Sequence, residues 1–499
     1  MTSSKAKGRK HHNRKSTQDR KNYHWMLGVV YIMVLFGLIM ILSASSIRAF
    51  AGTGDSYYYI KKQFLWMIVG SVALFVFSRI PVHRLQQLTK PALYCVAALL
   101  VGVLIPSIGH EVDGSSRWIP IGGFRLQPSE FAKFAIILYT ADFLAKKKGK
   151  IKDIQELFSP YGLIVGAFVV LVMLQPDLGT TLTMCLGAFT LLFISGLELR
   201  MIAVIGIAGA IVGAFSILSR DYQLKRFTAF LNPNADPLGA GYHIRQSLIA
   251  FGSGGLFGVG LSMSRQKYFY LPAAHTDFIF AIIGEELGLI GTVFTVGLFT
   301  VFAYYGIRIA FQSKNTFSRY LGAGITSMIA LQALVNMGAV TAVLPVTGIP
   351  MPFISYGGSS LMVNLACVGI LLSIALENER TTRGRRSKPE LHIVGDSHDL
   401  EDEHVAKRRT RAKKRSSSSS ATRGKPKKSS STNKRGKASS ASTSRDSRST
   451  STSRSKSGTI ETKQTGRTKS HASSNKRRRD SGSRVSRPSP RQSTSKNKK

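Results

Sequence analysis

The chain has 499 residues, with 68 Lys+Arg against 26 Asp+Glu for a formal net charge of +42, three Cys and 44% hydrophobic residues. Taken whole, with a mean hydropathy of +0.05, it resembles a basic soluble protein of the nucleic-acid-binding kind. The distribution excludes that: residues 1–24 and 380–499 carry +34 of the charge, and the 355 residues between them carry +8 spread among long apolar runs.

Residues 1–24 are basic and lack apolar periodicity. The run Trp25 to Ser45, about 20 residues, is long enough to cross a hydrocarbon core of roughly 30 Å at about 1.5 Å per residue. Ala44-Ser45-Ser46 imitates a signal-peptide cleavage site, but the spanning length and the basic residues upstream favour an uncleaved anchor. Further spans are expected at 63–79, 91–108, 128–145, 160–174, 178–196, 200–218, 278–307, 318–343 and 358–376, which makes ten. The split at Gln175-Pro176-Asp177 is the weakest of them, because 160–174 is short for a crossing.

Two strongly basic ends belong in the cytoplasm by the positive-inside rule. That requires an even number of spans and makes 219–276 a large extracytoplasmic loop. The internal loops do not decide the matter, since the inside loops carry 12 Lys+Arg and the outside loops 11. Six of those 11 lie in 219–276 and need a separate explanation. The expectation is an all-α polytopic membrane protein of about ten transmembrane helices, its domain at 25–379. It is flanked by a basic cytoplasmic segment, 1–24, and a Ser/Lys/Arg-rich tail, 380–499, too poor in large apolar residues to fold. The tail is a solvated, self-repelling chain, or it touches anionic headgroups or an acidic partner, or it is released by Ser/Thr phosphorylation. Nucleic-acid contact would be incidental. Cys95, Cys185 and Cys367 lie in apolar spans with no disulfide or metal-ligand spacing.

Charged residues inside or beside spans carry the chemical information, since each is costly unless paired or wetted. In Arg117-Trp118-Ile119-Pro120-Ile121-Gly122-Gly123-Phe124-Arg125 and the following QPSEFAK, Pro128 suits a first helical turn. Glu130 and Lys133 are then neighbours on one face, either as a structural ion pair or as the wall of an outward cavity. Asp177 in QPDLGTT either caps the next helix or points into the same cavity. The segment 219–276 holds Arg220, Lys225, Arg226, Arg245, Arg265 and Lys267 with the glycine run 252–260. Its basic side chains suit a diphosphate or anionic headgroup, while a tight interfacial hairpin explains the glycines equally well. No phosphate-binding loop of the GxxxxGK[ST] type occurs. In AHTDFIFAIIGEELG, Thr276 or Asp277 is either an N-cap or, for Asp277, a partly buried general base. Glu285 and Glu286 lie about 12–13 Å further along, where at least one must face a partner, a wet cavity or a cation.

Those strings, with RWIPIGGFRLQPSEFAK, QPDLGTT and the stretch from Asn336 ending LPVTGIPMPFISYGGSS, resemble the signatures of the SEDS (shape, elongation, division, sporulation) family over about residues 25–380. Ala342 departs from the glycine often found there. The resemblance implies a peptidoglycan glycosyltransferase of the bacterial cytoplasmic membrane, closer to the division than the elongation members and so expected at the septum. Its substrates would be lipid II and undecaprenyl-diphosphate-linked glycan, and its partners a class B penicillin-binding protein supplying transpeptidation and other division proteins. It places the essential outer-face acid on Asp277 and a conserved intramembrane pair on Glu130 and Lys133. On that footing Asp277 deprotonates the acceptor 4-hydroxyl. Arg117 and His275 join the substrate contacts, and Arg245, Arg265, Lys267 or a divalent cation meets the diphosphate. Asp177, Glu285, Glu286, Ser355, Gly357 and Gly358 shape the cavity or the fold around it. A lipid II flippase and a non-catalytic division scaffold are the rival readings.

Overall fold

The computed structural model describes residues 2–112, 115–122, 124–147, 155, 157–234 and 239–387; the tail from 388 onward lies outside them. Helix α1 (Thr2–Thr53) runs the basic N-terminal segment directly into the first span. It is followed by α2 (Tyr58–Arg79), the short α3 (Val82–Gln87) and α4 (Thr89–Gly102). A small antiparallel sheet comes next, β1 (His110–Val112), β2 (Ser115–Ile121) and β3 (Phe124–Leu126), in the order β1-β2-β3. Helix α5 (Pro128–Lys146) opens on Pro128, which needs no backbone N–H in a first turn. Then come a π-helical turn (Leu157–Gly162), α6 (Leu163–Leu174), α7 (Leu178–Ile194) and α8 (Leu199–Leu218). Helices α9 (Asp221–Leu231) and α10 (Ala240–Gly254) precede the long α11 (Ile279–Gln312), α12 (Thr316–Val340) and α13 (Gly358–Ser387).

Among the described residues, seven helical segments are long and apolar enough to cross a membrane by length and composition: Arg20–Thr53, Tyr58–Arg79, Leu157–Leu174, Leu199–Leu218, Ile279–Gln312, Thr316–Val340 and Gly358–Thr382. The shorter apolar α4 and α7, and α5 with its internal charges, coincide with three further expected spans. The chain is a multi-pass helical membrane protein. Two details differ from expectation. The hairpin β1–β3 adds strands to the helical plan, and 219–276 contains the helices α9 and α10 instead of loop alone.

Burial separates centre from edge. The most apolar windows of α12 and α13 are 72% and 83% buried, against 17% for α2 and α8. Helix α8 therefore stands at the periphery, and a cleft remains between it, α6 and α7.

Helix α11 is broken at Gly288, whose backbone (φ 64°, ψ −156°) is not helical. A break inside an apolar helix orphans backbone groups that lipid cannot satisfy. The glycine run does so instead. Val259 and Gly260 donate to the carbonyls of Glu285 (2.9 Å) and Glu286 (3.0 Å), and Leu289 and Ile290 donate to Gly255 (3.0 Å) and Leu256 (3.3 Å). Gly258 (φ 81°) sits so close that a Cβ there would lie 2.1 Å from the Glu286 carbonyl oxygen. Close backbone approach is what these glycines are for.

Candidate active site

A cavity of about 1950 Å³ opens within the bundle. Its charged lining is Lys62, Arg117, Arg125, Glu130, Asp177, Arg226 and Asp277. These groups come from the start of α2, the hairpin, the starts of α5 and α7, helix α9 and the approach to α11. In an alternating bundle those are all the same end. The rest of its depth, between α6, α7 and α8, is walled by apolar and small residues such as Val165, Val169, Leu186, Phe189, Gly209 and Gly213.

Asp177 does both things the sequence left open. Its Oδ1 accepts from the Thr180 backbone N–H at 3.1 Å, capping α7, and it also lines the cavity. Its Oδ2 accepts from Thr180 Oγ1 (2.8 Å), Gln127 Nε2 (3.1 Å) and Ser129 Oγ (3.1 Å), which ties α7 to the start of α5. Arg117 donates to the carbonyl oxygens of Gln175 (2.9 Å) and Pro176, fastening the hairpin over the α6–α7 turn. Glu130 lines the cavity, whereas Lys133 lies behind it, 1% exposed. Lys133 Nζ reaches Glu130 Oε1 at 3.0 Å and Gln332 Oε1 at 2.7 Å. The ion pair and the cavity wall are thus one arrangement.

Asp277 is partly buried on the cavity wall two residues before α11. The capping alternative fails: the N-cap position is Phe278, and no side chain caps the helix. Among the described residues the Asp277 carboxylate has no hydrogen-bond donor, while its backbone carbonyl accepts from Asn336 Nδ2 at 2.8 Å. Asn336 also donates to the Ile349 carbonyl (2.7 Å), and Ser355 Oγ donates to the Thr276 carbonyl (2.6 Å). The acid therefore hangs from a loop pinned on both sides. Burial pushes its pKa up to about 6, partly offset by the positive charges of Arg226 and Arg117 and reinforced by Asp177. A Cβ built on Gly348 (φ 71°) would sit 3.4 Å from Arg226 Nη1 and 3.7 Å from Asp277 Oδ2. The two groups are thus no more than about 7 Å apart, on either side of a glycine whose positive φ disfavours a side chain.

The remaining expected residues divide. Gly357 and Gly358 line the cavity, and Ser355 supports its floor. Arg245 and Arg265 are exposed and do not line it. Lys267 is buried, with Nζ 3.7 Å from Glu286 and 2.5 Å from the Ser262 carbonyl. Glu286 also accepts from Ser43 Oγ at 2.5 Å, and Glu285 accepts from Ser264 Oγ and, at 2.9 Å, the Arg265 N–H. These groups fasten the loop after α10 onto broken α11 and α1. His275 is buried, and its pKa is lowered to about 4 by burial and then by Arg48. Sequence reasoning did not select Lys62, Arg226, Gln332 or Asn336. Arg226 stood among six basic residues with nothing to single it out, and Gln332 has no local signal at all. Among the described residues no group of three or more His, Cys, Asp and Glu could hold a metal ion.

Residues 23–380 match the family model of the FtsW/RodA/SpoVE cell cycle proteins. The chain is 43% identical over 350 residues to the probable peptidoglycan glycosyltransferase FtsW of Trichlorobacter lovleyi, covering 70% of this chain and 92% of that protein. It is 42% identical over 348 residues to stage V sporulation protein E of Bacillus subtilis, covering 70% and 95%. Among solved structures it is similar to a chain of a peptidoglycan synthase complex coordinating polymerization and crosslinking, with TM-score 0.58, 26% identity, and 71% and 97% of the two chains covered. It is likewise similar to the rod shape determining protein RodA of Thermus thermophilus, with TM-score 0.53, 27% identity, and 71% and 96% covered.

Proposed function

The chain belongs to the FtsW/RodA/SpoVE family of cell cycle proteins, and from that premise we propose that its cavity joins lipid II units into glycan strands, as a peptidoglycan glycosyltransferase of the division septum. The observation that carries this reading is the setting of Asp277. Among the described residues it is a carboxylate without a hydrogen-bond donor, its pKa raised to about 6, one glycine away from Arg226 at the charged end of a deep apolar cavity. A base that is ionised near neutral pH and still holds a proton well is what deprotonation of a sugar hydroxyl needs.

Asp277 takes the proton from the acceptor 4-hydroxyl as that oxygen attacks the donor anomeric carbon. The bond from that carbon to the diphosphate oxygen breaks, and undecaprenyl diphosphate departs. Arg226, with Arg117, Arg125 and Lys62 at the same end of the cavity, meets the charge on the leaving diphosphate. They take the role that the sequence assigned to Arg245, Arg265 and Lys267. The apolar depth between α6, α7 and α8 holds polyprenyl chains. With residues 1–24 and the tail in the cytoplasm, the charged end lies at the outer face, where lipid-linked sugars are consumed. A flippase needs polar lining along the whole path, and here the charges cluster at one end. A class B penicillin-binding protein supplying transpeptidation is the proposed partner, in keeping with the likeness to a chain of a peptidoglycan synthase complex coordinating polymerization and crosslinking.

Purified protein is given lipid II, alone and with its penicillin-binding partner, and glycan length is read on gels. Wild type yields glycan, and Asp277→Asn loses about 100-fold or more of the rate. Full activity in Asp277→Asn would sink the base assignment. No glycan under either condition, with measurable lipid translocation, would sink the polymerase.

A further inference from the structure

One wall of the cavity is left unused by this mechanism. Tyr58, Tyr59 and Trp66, from the first turns of α2, line it beside Lys62, together with Tyr356 from the loop before α13. The Tyr59 ring lies 5.1 Å from that of Tyr356 at 81° and 4.5 Å from His275 at 44°, and Tyr58 adds an edge contact at 5.3 Å. The group is held firmly. Tyr356 N donates to the His275 carbonyl (3.0 Å), Gln63 Nε2 donates to the Ser355 carbonyl (3.3 Å), and Gly357 N donates to Gln63 Oε1 (3.2 Å). Because Ser355 also binds the Thr276 carbonyl, the tyrosines and Asp277 rest on one hydrogen-bonded unit.

Tyrosines at the end of a membrane helix ordinarily form an interfacial belt facing lipid. Tyr57, 57% exposed, fits that description. Tyr59 and Tyr356 do not, because they are partly buried, packed on one another from separate segments, and turned to the cavity. A polyprenyl tail does not call for phenols there, and a diphosphate calls for cations. What suits an aromatic face edged with hydroxyls is a ligand with an apolar C–H face and a polar rim, which is the description of a pyranose ring.

We propose that Tyr59 and Tyr356 form a stacking subsite for a pyranose ring of the lipid-linked substrate, the ring whose hydroxyl faces Asp277. The inference rests on the polymerase reading and assigns that substrate's sugar a place. The surroundings agree with it. Burial pushes the Tyr356 phenol up to about 12, so it remains a hydrogen-bond donor. Buried His275, beneath Tyr59, has an Nδ1 without a hydrogen-bond partner among the described residues. Lys62 Nζ donates to Tyr58 Oη at 2.6 Å and stands 4.4 Å from that ring's centroid, closing the edge of the subsite with a cation.

The test measures equilibrium binding of two probes to the purified full chain: lipid II, and undecaprenyl diphosphate, which has no sugar. Tyr59→Ala and Tyr356→Ala each weaken lipid II about three- to tenfold, the scale of one lost aromatic contact, and leave undecaprenyl diphosphate within about twofold. Tyr59→Phe, which keeps the ring, recovers most of the lost affinity. Unchanged lipid II affinity in both alanine variants would overturn the subsite. An equal loss for both probes would overturn it too, since the tyrosines would then merely hold the loop. Wild type that binds lipid II and makes no glycan would refute the polymerase reading while leaving this difference between probes intact.

Discussion

The sharpest prediction concerns the acid limb of the pH profile. If Asp277 is the base, kcat/KM for glycan synthesis rises with pH through about 6, because the working form is the carboxylate and burial has raised its pKa to that value. Arg226 holds this pKa down, so its removal must move the limb to higher pH. Two unit charges at most about 7 Å apart interact by at least roughly 1–2.4 kcal/mol at an effective dielectric of about 20–40, between the value near protein and that of water. At about 1.4 kcal/mol per unit, Arg226→Gln displaces the limb upward by about one pH unit, to near 7. The assay is initial-rate polymerisation of lipid II from pH 5 to 8.5, with kcat/KM extracted at each pH so that the free enzyme is reported. Arg226→Gln also lowers the rate at every pH, and the displacement is read from the shape alone. An unmoved limb, or one displaced toward acid, would refute the electrostatic pairing on which the site has been built.

Lys133→Met leaves Glu130, 2% exposed, without its cation, at a cost of about 3–5 kcal/mol for breaking one side of a buried pair. Thermal unfolding in detergent should show a large loss, much of it recovered in Glu130→Gln/Lys133→Met. Gly258→Ala puts a methyl 2.1 Å from the Glu286 carbonyl oxygen at φ 81° and should cost more than about 2 kcal/mol, read as lost monodisperse protein on size-exclusion chromatography. Asn336→Leu deprives the carbonyls of Asp277 and Ile349 of their shared donor. Each unmet group is worth about 1–3 kcal/mol, and displacement of the acid should lower kcat far more than it changes KM.

The positions of the acids were legible in the sequence because an ionisable residue beside an apolar span is conspicuous. Asp277, Asp177 and Glu130 all reach the cavity for that reason. The choice among cations was not legible. Lys267 and Arg226 look equivalent as letters, and only the folding of the glycine run against broken α11 sends Lys267 to Glu286 and leaves Arg226 beside Gly348. The break itself has a weak signal, one glycine among the five in an apolar helix, and that alone does not announce a positive φ. The hairpin had a better one. RWIPIGGFRL sets an aromatic and β-branched run, Trp118 to Ile121, and the alternating Phe124-Arg125-Leu126 on either side of two glycines, a hairpin signal outweighed by the helical runs around it.

If Asp277 is the base and Arg226 the diphosphate contact, as proposed, their coupling has a consequence for catalysis. In the free enzyme the guanidinium favours the carboxylate form and so weakens the base. A donor diphosphate seated on Arg226 supplies its own negative charge, cancels that influence and adds repulsion of the same sign. The carboxylate near it then holds a proton more strongly, becoming the better base when the donor is in place and not before. An idle enzyme is correspondingly less apt to activate stray hydroxyls or water. The acid limb of kcat, which reports the loaded enzyme, should therefore lie at higher pH than that of kcat/KM by about one unit, the size of the Arg226 interaction. In Arg226→Gln the gap between the two limbs should shrink. A wild type whose two limbs coincide would mean that the diphosphate binds away from Arg226, and the leaving-group contact would have to be sought at Arg117, Arg125 or Lys62.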